Sequence, residues 1–492
     1  MSQELLTDFL IGHKAAKPVS FHMPGHKGRA DLYEKYGYGE FLRDIMASDI
    51  TEIPGADNLH DPSGPIRQLM ENYAGLYGVK HTELLVNGGS AGVVASILAC
   101  VPKGGTLLMA RNAHMSAYAA IRLGDIRPVF VMPGEDGKIH AEDVSAAIEW
   151  DAMMRDDPVA SRKKRGAAAA PERTPISAVL VTSPDYYGVM SDISAIAAAA
   201  HRHGIPLIVD QAHGAHLVFF DQHLGTTRSA ERQGADLVID STHKTLLSFT
   251  GTGILNICSD RVSQERVSGY LSMLQTTSPS YPALASLDVN ERILRRASRE
   301  IVETWLKDIR FFHENASRID GLTVLRGEDI DPTKLSVSIE LGDGNVVEGR
   351  ALDLMLRSAN IWPEMFDSNG VLLMTGAGSV RSDYEVALRA LYEITCEKKV
   401  RNYAVPKTSA PAFSHALPEF AGVPEKSVRI PLYQAAGRAA GAAVTPYPPG
   451  IPLICPGEKF TNDLLIKINR MMGAGITLMG VDEEGGVLAG DD

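Results

Sequence analysis

From about residue 84 to residue 257 short apolar runs alternate with stretches of helical spacing, and nothing else limits the possible folds of this chain so strongly. Residues 84–86, 106–109, 129–132, 178–181, 205–210, 235–239 and 250–257 read as strands. Between them, 93–100, 141–148 and 193–203 carry helical spacing. Apolar strands of this kind bury both faces only when helices cover them, which predicts an α/β fold with a mostly parallel sheet of the seven-stranded type. Ligands of such sheets collect at the carboxyl ends of the strands. Every chemically active candidate in this chain falls there.

The run 235–239 ends in Asp240-Ser241-Thr242-His243-Lys244. A lysine at the tip of a buried strand is costly when charged. Desolvation lowers its pKa toward a nucleophilic amine, as Schiff-base chemistry requires. The strand before it ends in Asp210-Gln211-Ala212-His213. A strand-end acid followed by a strand-end lysine is the arrangement that holds pyridoxal phosphate, with the acid at the pyridinium nitrogen and the lysine at the aldehyde. A lone His-Lys pair after a strand is usually a solvated loop, and Asp210 alone could be a helix cap. Two further features add weight. Asn87-Gly88-Gly89-Ser90-Ala91-Gly92 lies between a strand and a helix expected from Val93, where backbone N–H groups and the helix dipole cradle a phosphate. It matches neither a Walker loop nor GxGxxG, and small residues also occur at plain strand–helix turns. His114, just past strand 106–109, could lie flat over an aromatic cofactor, cap a helix or sit on the surface.

Elsewhere, 5–11 has the spacing of a short docking helix, and 21–29 (FHMPGHKGR) is a loop whose charges read as solvated surface rather than an anion-facing lip. Residues 151–175, with the basic cluster 162–165, read as an exposed insertion without assigned function. The helical pattern 284–319 bridges to a second, smaller α+β unit, and composition shifts toward Pro and Ala from Lys399. The expected division is an N-terminal arm (1–55), a cofactor-binding large domain (56–285), a small α+β domain (286–398) and a C-terminal α+β domain (399–492). A chain of 492 residues exceeds one hydrophobic core. The net charge of -12 disfavours nucleic-acid and anionic-membrane partners. Four cysteines without a CxxC pair offer no metal or disulfide framework and fit a reducing cytoplasm. No apolar run approaches the roughly 20 residues that span a bilayer, and the first 20 residues lack a signal-peptide core. A soluble, cytoplasmic protein is expected.

The ordered set FHMPGHKG, NGGSAG, RNAHMS, TSPDYYGV, VDQAHGAH, DSTHKTL, LQTTSPSY and YPPGIPLICPGE resembles the ornithine/lysine/arginine decarboxylase family, pyridoxal-phosphate enzymes of the aspartate-aminotransferase fold type. The likeness covers nearly the whole chain and matches short members without an N-terminal wing. It implies that Lys244 carries the cofactor, Asp210 keeps the pyridine nitrogen protonated and His114 stacks on the ring. It places Gly89, Ser90, Ala91, Ser241 and His243 at the phosphate, and Ala212 and His213 near the ring, with Lys244 or a histidine such as His213 returning the proton to Cα. Thr276 matches a position that reaches the phosphate from a neighbouring subunit, implying a homodimer with shared sites. Glu364 matches an acid on the substrate side. The implied reaction turns arginine, lysine or ornithine into CO2 and a di- or polyamine. Transamination or a lyase step on the same fold is the alternative, against which LQTTSPSY and PPGIPL weigh; a silent pyridoxal-phosphate-binding subunit is a third reading. Departures from the family pattern are Gly89, Met115, Gln211 and the run Thr250-Gly251-Thr252.

Overall fold

The computed structural model describes residues 5–156, 174–342, 344–407, 419–448 and 450–491. After a short strand, β1 (Val19–Phe21), the large sheet is built from β2 (His81–Leu85), β3 (Thr106–Ala110), β4 (Arg127–Val131), β5 (Ile176–Thr182), β6 (Leu207–Asp210), β7 (Leu237–Asp240) and β8 (Gly253–Ile257). Their order is β2-β8-β7-β6-β5-β3-β4. Strands β3 to β7 pair in parallel, and β8 runs antiparallel to both its neighbours, β7 and β2.

Strands β6 and β7 are buried at every residue, as near-continuous apolar runs require. Successive side chains point to opposite faces. Leu107, Leu237 and Ile239 therefore join the core under the helices Gly88–Cys100 and Gln264–Leu274, while Leu108, Val209 and Val238 join the one under Ile193–His201. Each such aliphatic side chain stabilises the sheet by about 1.5–3 kcal/mol on burial. The result is a rigid edge at which β5, β6 and β7 end together.

The helix Tyr281–Ala316, capped by Ser280, then runs 36 residues with Leu287, Leu294, Ile301, Trp305 and Phe312 buried. It leads to a second sheet of β9 (Leu322–Val324), β10 (Lys334–Gly342), β11 (Asn345–Val347), β13 (Met365–Phe366), β14 (Val371–Met374) and β15 (Ala404–Pro406). Strand β12 (Ile361–Pro363) pairs in parallel with β1, stitching the N-terminal segment to this unit. A further cluster around Ile454, Phe460, Ile468 and Val487 forms a small core of its own.

Three expectations change. The helix after β2 begins at Gly88 rather than Val93, because Gly88 adopts φ +75° and its N–H is taken by the Gly251 carbonyl at 2.7 Å. Residues 151–156 belong to the helix Ala141–Asp156, where Arg127 and Arg155 pair with buried Asp151; residues 157–173 of the expected insertion lie outside the described residues. Helix Leu6–Ala16 forms but buries no residue, leaving Leu6, Leu10 and Ile11 exposed.

Candidate active site

Strand β7 ends at Asp240, and the single turn Thr242–Thr245 folds Lys244 back over the sheet edge. Its Nζ lies 3.0 Å from His213 Nε2. Burial lowers the lysine's pKa, with Asp210 and Glu364 opposing the shift and the Lys334 charge adding to it. His213 is buried, and its pKa is driven well below the ordinary imidazole range by desolvation and then by the charges of Lys244 and Lys334. The amine therefore meets a neutral ring. His213 Nδ1 is buried without a hydrogen-bond partner.

Asp210 ends β6, buried, with Oδ1 accepting the Ala212 N–H at 3.1 Å. His114 stands at the N-cap of helix Met115–Gly124, its Nδ1 accepting the Ser116 N–H at 3.2 Å. The helix-cap reading of this histidine is thus correct as geometry. The cap also fixes the ring, and with Nδ1 accepting, the neutral imidazole carries its proton on Nε2. Burial lowers the His114 pKa, opposed by Asp210 and assisted by Lys244, so all three groups share one electrostatic neighbourhood.

At the start of helix Gly88–Cys100 no side chain caps the N-terminus and the first turn holds no acid. Gly89 and Ala91 are buried there and Ser90 is exposed. A Cβ on Gly89 would come within 2.6 Å of Ser241 Oγ. Glycine at this departure is what lets the hydroxyl of buried Ser241 approach the helix end. His243 donates from Nδ1 to the Thr252 carbonyl at 2.6 Å, and burial, helped by Lys244 against that bond, lowers its pKa to about 4.

The departure at Gln211 also has a local reason. Its Nε2 donates to Glu231 Oε2 and Asp240 Oδ1, both at 3.0 Å, while Oε1 accepts the Ala230 N–H at 2.8 Å. Asn256 bridges the same two carboxyls from the other side at 3.1 Å. Burial and the neighbouring Glu231 raise the Asp240 carboxyl well above its ordinary range. An acid at 211 would add a third carboxyl to a buried pair, whereas the amide supplies the donor the pair needs.

Several residues that the structure brings to the site, Tyr186, Lys27 and Lys334, are not among the candidates read from the sequence. Tyr186, in the loop after β5, packs its ring 4.5 Å from that of His213 and donates from its hydroxyl to Glu364 Oε1 at 2.6 Å. Glu364 Oε2 accepts the Met23 N–H at 2.9 Å. The loop 21–29 is therefore packed against the site and is not solvated surface. Gly25 N–H donates to the His243 carbonyl at 2.8 Å, and a Cβ on Gly25 would lie 2.4 Å from the Thr245 backbone, so only glycine lets this loop buttress the lysine turn. The Lys27 ammonium donates to the carbonyls of His22 and Met374, and burial lowers its pKa to about 7. Lys334, wholly buried, donates to the His213 carbonyl and to Asp331 Oδ2, each at 3.3 Å, and Asp331 Oδ1 meets His216 Nε2 at 3.1 Å. Thr276 does not join this group within the chain: it is exposed, accepting the Ser278 N–H on Oγ1 at 3.2 Å.

A parallel-stranded α/β domain with a desolvated lysine, an acid and a fixed histidine at one sheet edge defines an enzyme of the aspartate-aminotransferase fold type. Within that class the chain belongs to the Orn/Lys/Arg decarboxylase family, whose major-domain model matches residues 5–328 and whose C-terminal-domain model matches 399–473. By family it is an amino-acid decarboxylase. It is 31% identical to the arginine decarboxylase of Bacillus subtilis, over 96% of this chain and 94% of that protein. The arginine decarboxylase of Bacillus anthracis gives the same identity and coverage. Among solved structures it superposes on the constitutive lysine decarboxylase of E. coli with a TM-score of 0.73 at 20% identity, covering 98% of this chain and 81% of that one.

Proposed function

We propose that this chain binds pyridoxal phosphate on Lys244 and decarboxylates a basic amino acid, arginine before lysine or ornithine, to CO2 and the corresponding amine. The observation that carries this reading is the Lys244 amine held 3.0 Å from a neutral His213 at the strand edge that Asp210 also occupies. The residues fit the cofactor's three chemical features. Lys244 suits the aldehyde, and Asp210 suits the pyridinium nitrogen. The uncapped turn at Gly89, Ser90 and Ala91, with Ser241 and His243, suits the phosphate. When bound, pyridoxal phosphate supplies an electron sink for the bond that breaks.

The chain's own groups supply the rest. His114, pinned by Ser116, limits the ring's freedom on one side. Ala212 orients Asp210 through its N–H. Lys244 Nζ and His213 Nε2 are close enough to hold and pass the proton that returns to Cα. Glu364, ordered by the Tyr186 hydroxyl and the Met23 N–H, offers carboxylate oxygens to a cationic substrate tail. Arginine is favoured because the arginine decarboxylases of Bacillus are 31% identical to this chain, against 23% for the constitutive lysine decarboxylase of Escherichia coli.

The working form in this reading is a cytoplasmic homodimer serving polyamine synthesis, with Thr276 completing the neighbouring protomer's phosphate site. Exposed Thr276, Ser90, Met273 and the uncovered apolar residues of helix Leu6–Ala16 support it. Among the described residues no helix is long and apolar enough to cross a membrane.

The test is product analysis with purified chain, added pyridoxal phosphate, and arginine, lysine or ornithine in turn. Equimolar CO2 and amine, fastest from arginine, is expected. A keto acid, or no CO2 from any of the three, would overturn the proposal.

A further inference from the structure

Residues 450–458, far from the sheet edge in sequence, grip the loop that carries His114. Arg111 has a side-chain exposure of only 5% and Glu458 of 3%, and they meet at 3.0 Å. The same guanidinium donates to the Pro452 carbonyl at 3.0 Å, the Leu453 carbonyl at 3.3 Å and the Tyr118 hydroxyl at 2.8 Å. Its face lies over the Phe130 ring, 5.4 Å from the centroid. Glu458 Oε2 also accepts the Cys455 N–H at 2.8 Å, which ties the turn together before it meets the arginine.

At the other end of the segment, the Gly450 carbonyl accepts the Met115 N–H at 2.9 Å. Gly450 has φ +85°, and a Cβ there would lie 3.0 Å from both Cδ2 and Nε2 of His114. The imidazole is therefore bounded on two sides: Ser116 holds Nδ1, and the backbone of Gly450 closes on the edge bearing Nε2. Breaking a buried ion pair costs more than its formation contributes, so such a pair is poorly explained as a stability device alone. Here it fixes where residues 450–458 sit against the loop that carries His114.

We infer that residues 450–458 form a clamp that sets the tilt of the His114 imidazole, with Arg111 and Gly450 as its positioning residues. The inference rests on the proposal above that His114 faces the bound cofactor. The clamp adds no group that touches the substrate; it acts through His114, so its effect must vanish when that ring is absent.

A double-mutant cycle reads this directly. The apparent Kd for pyridoxal phosphate and the visible circular dichroism of the bound cofactor are measured for full-length Gly450→Ala, alone and in a His114→Ala background. With His114 present, Gly450→Ala should weaken cofactor binding about tenfold and alter the visible band; in the His114→Ala background the loss should fall below about twofold. The strain of alanine at positive φ is the same in both backgrounds and cancels in the cycle, whereas the new Cβ meets the His114 ring only where that ring is present. Arg111→Lys, which places no atom against the ring, is therefore run through the same cycle and must show the same coupling. Equal losses in the two backgrounds would overturn the inference. If Gly450→Ala fails to fold, Arg111→Lys, which keeps the charge and loses the fork, is read the same way. A wild-type chain that binds no pyridoxal phosphate would defeat the functional proposal and the clamp with it, whereas a wild type that binds while the cycle shows no coupling defeats the clamp alone.

Discussion

An amine buried against a neutral imidazole gives up its proton below the ordinary lysine range of about 10.4. Capture of pyridoxal phosphate by the apo chain, trapped with borohydride across a pH series, should therefore show a midpoint below that value. Lys334 lowers the Lys244 pKa and Asp210 raises it, so Lys334→Met should move the midpoint up and Asp210→Asn should move it down. A midpoint that ignores both changes would show that Lys244 is not the group titrated. The same shift acts on stability. Between the depressed folded pKa and the unfolded value the unfolded chain binds more protons, so Lys244 costs the apo fold stability at low pH and that cost fades as pH rises through the window. His243 offers a second test. With Nδ1–H committed to Thr252, Nε2 can donate to a phosphate only after protonation of a ring whose pKa is about 4. Cofactor binding near pH 7 should then take up about one proton, measured by calorimetry in buffers of different ionisation enthalpy, and His243→Asn should abolish that uptake. Unchanged uptake in His243→Asn would remove His243 from the phosphate site.

Elements far apart in sequence carry the support for these side chains. The turn before β10 places Asp331 between His216, Lys334 and the Thr333 N–H, all buried, and these partners outweigh desolvation to hold the Asp331 carboxyl well below its usual range. Asp331→Asn leaves Lys334 uncompensated and should cost about 3–5 kcal/mol in chemical denaturation. A loss under about 1 kcal/mol would mean the charge is satisfied otherwise. Asp57 does comparable work at the start of helix Pro65–Tyr77, accepting the N–H groups of Ser63, Gly64 and Ile66 at 2.7–2.9 Å. Burial alone would raise its pKa; the N–H groups of Ser63, Asn58, Gly64 and Arg67 override it and hold the carboxyl at about 2. Its stabilisation is present above the ordinary carboxylate value and is lost as pH falls toward 2, and Asp57→Ala should cost about 1 kcal/mol at neutral pH. The strands ending at Asp210 and Asp240 were legible because an apolar run with a polar terminus has one local meaning. The helix start at Gly88 was not, because it depends on the Gly251 carbonyl across the sheet. The loop 21–29 was misread for a similar reason: its charged composition says solvent, and the partners that bury it lie more than 200 residues away.

At the scale of the whole molecule, the alternation of strands and helices was enough to anticipate the parallel sheet and the edge where Lys244, Asp210 and His114 meet. It could not reveal that Tyr186 hydrogen-bonds Glu364, a pairing across 178 residues. Thr276 is where the monomer runs out, exposed and outside the site within its own chain. If two copies share sites about a twofold axis, Lys244→Ala and Thr276→Arg subunits, each poorly active, should complement when mixed. A hybrid dimer holds one intact site, so random mixing should restore about a quarter of wild-type activity. No gain over the unmixed variants would place Thr276 outside the neighbouring site. The central claim, that one strand-edge amine carries the cofactor, is tested most directly by reducing the holoprotein with borohydride and mapping the modified peptide by mass spectrometry. A pyridoxyl group on Lys244, absent from Lys244→Ala, is the predicted result; modification at Lys27, at Lys334 or at no lysine would contradict the account.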